Sequence, residues 1–351
     1  MSRYLSSRFA SLEEYVPGEQ PQDLHYIKLN TNESPYPPAP GVVKAVTQNE
    51  IDRLRLYSDP DCRALREALA AQYGVSSANI ICGNGSDEML SFLFIAFCDA
   101  QTGVSYPDIS YGFYSVFADI NRIAAQEVPL RGDLSICADD YCGLDRTIVI
   151  ANPNAPTGLC LSAADIERIV QSNPNNVVVI DEAYVDFGGE SVVPLTKKYD
   201  NLLVVQTFSK SRSLAGGRLG YAIGSEGLIA DLNKIRNSTN PYNVDSLTKA
   251  VGLASLEEQD YYDNNCKKIV ATREYAAQEL QKLGFEMPES KTNFLFARHP
   301  KLAGKQLYLD LKARGILVRH FDMPRILDYN RITIGTPEQM ETLLKTLREM
   351  I

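Results

Sequence analysis

The sequence predicts an α/β fold: a mostly parallel central sheet flanked by helices, with a smaller α+β domain after it and an N-terminal arm before it. Three observations predict this. Short β-branched runs alternate with helical stretches between about residues 79 and 224, the pattern of βαβ units. These runs are apolar throughout, as strands buried on both faces are. The polar motifs GNGSDE, NPNAPTG, DEAY and FSK fall at the carboxyl ends of the runs, where open α/β sheets take their ligands.

The elements follow in order. Residues 1–36 form a polar arm that runs into the proline-rich stretch NESPYPPAPG, which suits a linker better than a core element. A large domain is expected over 37–241. RALREALAAQY (63–73) has the spacing of an amphipathic helix. NIIC (79–82) reads as a strand, followed by a glycine turn and a helix from Ser86. TIVIAN (147–152) leads to a helix capped by Ser162, with Asp165 three residues on. VVVI (177–180), LLVVQTF (202–208) and LGYAIG (219–224) are further strands. A small α+β domain is expected over 242–351. Its helical stretches (246–258, 260–283) precede NFLFAR, a helix near 304–314, GILVRHF, RITIG and a last helix from about 337.

Length and charge narrow the function. At roughly 150 residues per domain, 351 residues suit two domains. The net charge of −9 opposes binding to nucleic acid. An anionic ligand must therefore be met by local donors. Seven cysteines without CxxC or Cys/His spacing point to reduced thiols in the cytoplasm, and not to disulfides or zinc. The three histidines, His25, His299 and His320, are too scattered for a metal site. The first fifteen residues lack the apolar stretch of a signal peptide, and no apolar run is long enough to span a bilayer.

Three motifs carry chemistry. In GNGSDE, a strand, a glycine turn and a helix start place Gly85, Ser86 and Asp87 where free amides and the helix dipole favour an anion. The same residues also suit an ordinary capped turn, and Glu88 replaces the third glycine of a dinucleotide fingerprint. VVVIDEAY puts Asp181 at the tip of a buried strand. There it suits a turn cap, a cofactor's ring nitrogen, or the metal of an ATPase. The last reading needs GxxxxGK[ST], which is absent. In TFSKSRSLAGGRLG, Lys210 directly follows a strand, so its amine emerges at the ligand edge, where partial loss of hydration makes it nucleophilic. Ser209 and Arg218 complement the anion cradle, and arginine grips phosphate bidentately. Tyr111, after the strand-like TGVSY, is a candidate ring stacker. An aldehyde-trapping lysine, an aspartate for a ring nitrogen, a phosphate cup and a stacking aromatic are what pyridoxal 5'-phosphate requires.

With these motifs the chain resembles the fold-type I aminotransferases of the class II pyridoxal-phosphate-dependent family, and among them the histidinol-phosphate aminotransferases. YVPGE, KLNTNESPY, RLYSDPD, GNGSDE, YGFYSV, NPNAPTG, DEAYVDF, TFSKSRSLAGGRLG, TNFLFAR, GILVRHF and RITIG occur in that family's order over nearly the whole chain. The resemblance implies that Lys210 carries the cofactor and moves the proton. It implies that Asp181 pairs with the ring nitrogen, that Tyr184 bonds the ring oxygen and that Tyr111 stacks on the ring. Ser86, Asp87, Ser209 and Arg218 would surround the phosphate, with Tyr57 arriving from the other subunit of a homodimer. Arg319 and Arg331 would bind the anionic end of the substrate, Tyr15 and Asn32 would close the pocket, and Asn293 would line it. The implied substrates are histidinol phosphate and 2-oxoglutarate, with glutamate as a product. Alternatives on the same fold are an aromatic amino-acid aminotransferase and a threonine-phosphate decarboxylase. A non-catalytic cofactor-binding regulator would bind the cofactor without exchanging amino groups. Two departures from the family stand out. Ala155 occupies the position before PTG where the family commonly has asparagine, which leaves Asn152 or Asn154 to substitute. PDIS precedes Tyr111, where a proline just before a threonine is common.

Overall fold

Twelve strands run through the described part of the computed structural model, residues 4–9, 12–23 and 25–351. The reading of the first fifteen residues as leaderless thus lies partly outside the described residues. In chain order, β1 (Ile27–Lys28) belongs to the arm. β2 (Ile80–Gly83), β3 (Val104–Pro107), β4 (Ala125–Val128), β5 (Thr147–Ala151), β6 (Val178–Asp181), β7 (Leu202–Thr207) and β8 (Gly220–Ile223) make the large sheet. β9 (Phe294–Arg298), β10 (Ile316–Leu317), β11 (Arg319–His320) and β12 (Tyr329–Thr333) follow.

The large sheet has the order β2-β8-β7-β6-β5-β3-β4. Its strands are apolar on both faces because helices cover both. Side chains alternate strictly along each strand. Ile148, Ile150, Val178, Ile180, Leu202 and Val204 meet the helices Arg63–Tyr73, Ala163–Ser172 and Ser246–Leu256. Val149, Val179, Leu203 and Val205 meet Ser86–Phe97, Phe113–Asn121 and Glu226–Thr239. The helices begin and end where local chemistry dictates. Ser162 accepts the Asp165 amide at 3.1 Å. Gly74 ends the first long helix in the left-handed region, at φ 61. Thr336 and Gln339 form a reciprocal cap on the helix Pro337–Met350.

One strand runs against the others. β8 is antiparallel to both of its neighbours, β7 and β2. Gly220, at its amino end, therefore pairs with Thr207 at the end of β7 and with Gly83 at the end of β2. This reversal brings the 208–219 loop and the Gly83–Ser86 turn to one edge of the sheet. The expectation of a largely parallel sheet is met, but no sequence pattern signals the reversed strand. The edge strand β4 was also not foreseen: its first three residues, Ala125, Gln126 and Glu127, are exposed, so it shows no apolar run. The helices Phe113–Asn121 and Glu226–Thr239 add to the elements expected.

In the C-terminal part, β11, β12 and β9 form an antiparallel sheet against the helices Gln259–Lys282 and Pro337–Met350. The arm joins this part, because β1 pairs in parallel with β10. Leu29 from the arm and Phe187 from the loop after β6 are buried in its core. No helix among the described residues is long and apolar enough to cross a membrane.

Backbone contact between β8 and the helix start leaves no room for a side chain at Gly220. A Cβ there would lie 2.3 Å from the Ser86 nitrogen and 2.5 Å from the Gly85 carbonyl carbon. Neither is a flexible group, so Gly220→Ala should cost about 1–3 kcal/mol, as overpacking typically does. Urea unfolding measures this, and an unchanged midpoint would mean that the helix start yields freely.

Candidate active site

A small cavity opens at the edge where these strand ends converge. Its anion-binding end is built on the start of the helix Ser86–Phe97. Gly85, at φ 81, turns the chain out of β2 so that the first amides of the helix point outward. Arg218 covers this turn, and a Cβ on Gly85 would lie 2.7 Å from its Nη2. Arg218 itself is held at φ 49, a left-handed conformation unusual for a side-chain-bearing residue. Its Nη2 donates to Asp87 Oδ2 at 2.8 Å. Ser86, Asp87, Ser209 and Arg218 all line this cavity. The cradle thus combines helix amides, a hydroxyl pair and a guanidinium, the donor set that a phosphate needs.

The other end holds Tyr111, Asp181, Tyr184 and Lys210. Asp181 ends β6 on the face covered by the helix Phe113–Asn121 and is 4% exposed. Its Oδ2 accepts from the Tyr114 hydroxyl at 2.9 Å and its Oδ1 from the Ala183 amide at 3.1 Å. Among the described residues no lysine or arginine forms an ion pair with it. Burial pushes its carboxyl up to about 6, against the lowering effect of those two hydrogen bonds and of more distant Lys210. Lys210 Nζ lies 5.6 Å from the Tyr184 ring centroid and donates to the Thr31 carbonyl at 3.3 Å. The Tyr111 hydroxyl donates to Asp87 Oδ1 at 2.6 Å, tying the aromatic to the anion end. Glu182, next along β6, points to the opposite face. There it is held by Ser191, the Val192 amide and Gln206, with burial pushing it up to about 7. It takes no part in the cavity, which removes the remaining ground for an ATPase-like Asp–Glu pair.

Other expected residues lie elsewhere. The side chains of Asn152 and Asn154 do not reach the cavity. Asn152 ties down Leu161, and Asn154 binds Ser110, Ile109 and Thr157. Their amides are spent on holding the 152–161 loop, while Ala155 lines the cavity. This corrects the expectation that one of the two asparagines takes over the role lost at Ala155. Asn32 and Asn293 lie behind the lining. Asn32 Nδ2 donates to the Tyr184 hydroxyl at 2.9 Å, and Asn293 Nδ2 donates to the Asn32 carbonyl at 3.0 Å. Tyr57 is remote from the cavity within this chain: it is 84% exposed and stacks on Tyr242 at 4.5 Å.

A second, wider space borders the first through Tyr111 and Ala155 and is lined by Tyr15, Arg319 and Arg331. Arg319 and Arg331 face each other directly across β11 and β12. Like charges so placed repel unless an anion bridges them. Neither forms an ion pair with a carboxylate among the described residues. Arg319 donates to the Val16 and Pro17 carbonyls, and Arg331 donates to the Asn30 carbonyl at 3.1 Å. The Nε of Arg331 is buried without a partner, and burial lowers this guanidinium from its usual range. Tyr15 stacks on Phe113 at 4.1 Å above this space.

Tyr114 is the contact that motif reading missed. Its signal was the YGFY spacing, which sets two tyrosines three residues apart at a helix start and hence on one side of it.

A lysine amine, a buried carboxylate lacking a cation and a phosphate cradle around one cavity define a pyridoxal-phosphate site of the aminotransferase kind. The chain belongs to the class I and II aminotransferase family, whose model matches residues 25–347. It is 48% identical to the histidinol-phosphate aminotransferase of Brachyspira hyodysenteriae over 100% of this chain and 99% of that protein. It is 44% identical to that of Clostridium acetobutylicum over 100% of both. Among solved structures, the histidinol-phosphate aminotransferase of Sinorhizobium meliloti in complex with pyridoxal-5'-phosphate superposes with a TM-score of 0.86. It is 25% identical, with 100% of both chains covered.

The isolated charge at Asp181 has a measurable consequence in cofactor-free protein. Its folded value lies above the ordinary carboxylate value of 3.8. The stability it allows is therefore fully present below pH 3.8 and is lost as pH rises through about 6. Asp181→Asn should then stabilise the cofactor-free protein more at pH 7.5 than at pH 4.5, by up to roughly 2 kcal/mol. Thermal melts of both proteins at the two pH values decide it; an equal gap at both counts against an uncompensated carboxylate.

Proposed function

We propose that this aminotransferase moves the amino group of L-histidinol phosphate to 2-oxoglutarate, giving imidazole-acetol phosphate and L-glutamate in histidine biosynthesis, with pyridoxal 5'-phosphate as cofactor. The observation that carries the cofactor assignment is Asp181, a buried carboxylate without a cation, sharing a cavity with the Lys210 amine. A protonated ring nitrogen supplies the missing charge. The relatives matched over their full length support the reaction by their names, and the Sinorhizobium protein supports the cofactor.

The residues divide the work as follows. When bound, pyridoxal phosphate supplies the electron sink for the carbon that loses its proton. Lys210 Nζ would bind the cofactor's aldehyde carbon, with loss of water, and would then carry the proton. Asp181 keeps the ring nitrogen protonated. The Tyr184 hydroxyl receives its hydrogen bond from Asn32, so its own proton is free to donate to the ring oxygen. Tyr111, which lines the cavity, would cover the ring. Ser86 would offer its backbone amide to the phosphate, Ser209 and Arg218 their side chains; Asp87 orients both Arg218 and Tyr111, while the Gly85 amide already donates to the Gly83 carbonyl at 2.9 Å and serves the turn. Arg319, Arg331 and Tyr15 receive the anionic end of the substrate. In the second half of a ping-pong cycle the same arginines meet a carboxylate of 2-oxoglutarate. Two guanidiniums in direct register suit a dianionic phosphate better than a single carboxylate, which favours histidinol phosphate over an aromatic amino acid. Comparing turnover of histidinol phosphate, phenylalanine and threonine phosphate tests the substrate. Release of carbon dioxide from threonine phosphate, without amino exchange, would overturn the reading in favour of a decarboxylase.

The proposal extends to assembly and setting. Tyr57 lies in a segment with Ile51, Leu54 and Leu56 that is exposed and apolar in the single chain. Such a patch marks a protein interface. In a homodimer, Tyr57 would complete the phosphate cup of the partner's site. The division into arm, large domain and small domain at residues 36 and 241 is the corresponding working description. A cytoplasmic setting suits seven cysteines that are all free.

Two outcomes follow. Arg331→Ala should lower kcat/KM for histidinol phosphate about 100-fold or more, as losing a charge-assisted contact to an anion does. Borohydride reduction should still tag Lys210 in that variant; normal kinetics would remove Arg331 from the substrate site. Mixing inactive Tyr57→Ala and Lys210→Ala proteins should restore part of the activity, because mixed dimers contain one intact site. No recovery in mixed dimers confirmed by mass would refute shared sites.

A further inference from the structure

We infer that Tyr114 is a positioning residue for the cofactor, fixing from one side chain both the carboxylate that meets the ring nitrogen and the aromatic that covers the ring. This rests on the pyridoxal-phosphate reading given above. The helix Phe113–Asn121 starts one residue after Tyr111, with Gly112 between them, so Tyr114 lies in its first turn and is fully buried. Its hydroxyl donates to Asp181 Oδ2 at 2.9 Å. Its ring meets Tyr111 edge-on, with centroids 5.7 Å apart and planes at 85°. Tyr106 also packs against it, tilted at 54° with centroids 5.8 Å apart. The ring therefore has no free rotation, and the hydroxyl has one direction in which to point.

This geometry makes Tyr114 a donor to a charged acceptor with no competing role. Burial and the neighbouring carboxylate hold its phenol well above the ordinary value, so it stays a neutral donor throughout the working range. Among the described residues, the Asp181 carboxylate otherwise accepts from the Ala183 amide alone. The other groups facing Asp181 are Asp87 from the helix start, which disfavours its charge, and Lys210 from the loop after β7, which favours it. Removing the Tyr114 hydroxyl leaves one lone-pair site of a buried carboxylate unpaired and favours its neutral form. A neutral Asp181 no longer holds a proton on the ring nitrogen. The Tyr111 contact adds a second effect: an aromatic propped edge-on lies in one orientation before any ligand arrives.

The test is Tyr114→Phe, which deletes one oxygen and keeps the packing. Pyridoxal phosphate is added to the cofactor-free protein and its dissociation constant read from absorbance. We expect about a tenfold weakening, the size of one hydrogen bond to a charged group. The midpoint of the visible-band titration of bound cofactor should also move by about one pH unit, a shift that a loss of packing alone does not produce. An unchanged constant and midpoint, with borohydride still tagging Lys210, overturn the inference and leave the cofactor reading intact. Failure of the unsubstituted protein to bind the cofactor overturns both. The same substitution in Asp181→Asn protein provides the second arm. There it should change the dissociation constant by less than about twofold, since coupled residues are not additive; a further tenfold loss means that Tyr114 acts by a route other than Asp181.

Discussion

A carboxylate that the fold buries and leaves without a cation is the constraint around which this site is organised. Asp181 stands where a parallel strand ends, on the face that helices cover, so water does not hydrate it. Burying an unpaired charge is costly, and a protein usually neutralises it by protonation or by a partner. Here two neutral donors, Tyr114 and the Ala183 amide, reduce the cost without removing it. Lys210 lies in the same cavity but spends its hydrogen bond on the Thr31 carbonyl. The cavity therefore keeps a negative charge at one end and a helix start with an arginine at the other. A ligand carrying a cationic ring and an anionic tail satisfies both ends, and reversing its direction satisfies neither.

The arm makes this site continuous with the substrate side. Three consecutive carbonyls, those of Asn30, Thr31 and Asn32, accept from Arg331, Lys210 and Asn293 respectively. Asn32 adds its amide bond to Thr333 and its side-chain bond to Tyr184. Its left-handed backbone, at φ 56, lets one residue turn toward both. A segment of three residues thus links Lys210, Tyr184 and Arg331. β1, ending at Lys28 with one residue between, anchors the segment by its parallel pairing with β10. A shift of the arm would be felt at Lys210 and Arg331 together.

Much of this was legible in sequence because the chemistry is local. The apolar runs appear as strands within a residue or two of their expected limits, since burial on both faces leaves an unbroken hydrophobic signature. Ser86, Asp87, Ser209, Lys210 and Arg218 line one cavity because each follows directly from a strand end or a helix start. What escaped was set by pairing over long distances. The reversed strand β8 has the same apolar composition as its parallel neighbours, so nothing in it announces direction. The three arm carbonyls are backbone atoms and leave no residue type to read. Asn152 and Asn154 were expected as ligands because they neighbour Ala155, where the resembled family commonly has asparagine. Their amides instead replace the backbone hydrogen bonds that a proline-rich loop lacks.

The loop with Ala155 shows how a site tolerates a missing polar group. An asparagine at this position would offer an amide to the cofactor's ring oxygen, whereas alanine offers a methyl group. Tyr184 lies across the same cavity, and Asn32 Nδ2 already fills one acceptor site on its hydroxyl. That bond directs the phenol proton away from Asn32 and so toward the cavity, which makes a single donor better aimed than a freely rotating hydroxyl. Asn32 is itself fixed on every side: its amide donates to Thr333, its Oδ1 accepts from the Thr333 hydroxyl at 2.9 Å and its carbonyl accepts from Asn293. Because the support of Tyr184 comes from the arm and the small sheet and not from the 152–161 loop, position 155 is released from polar duty. It can then be small and apolar, which fits its place on the boundary between the Lys210 cavity and the wider space lined by Arg319 and Arg331.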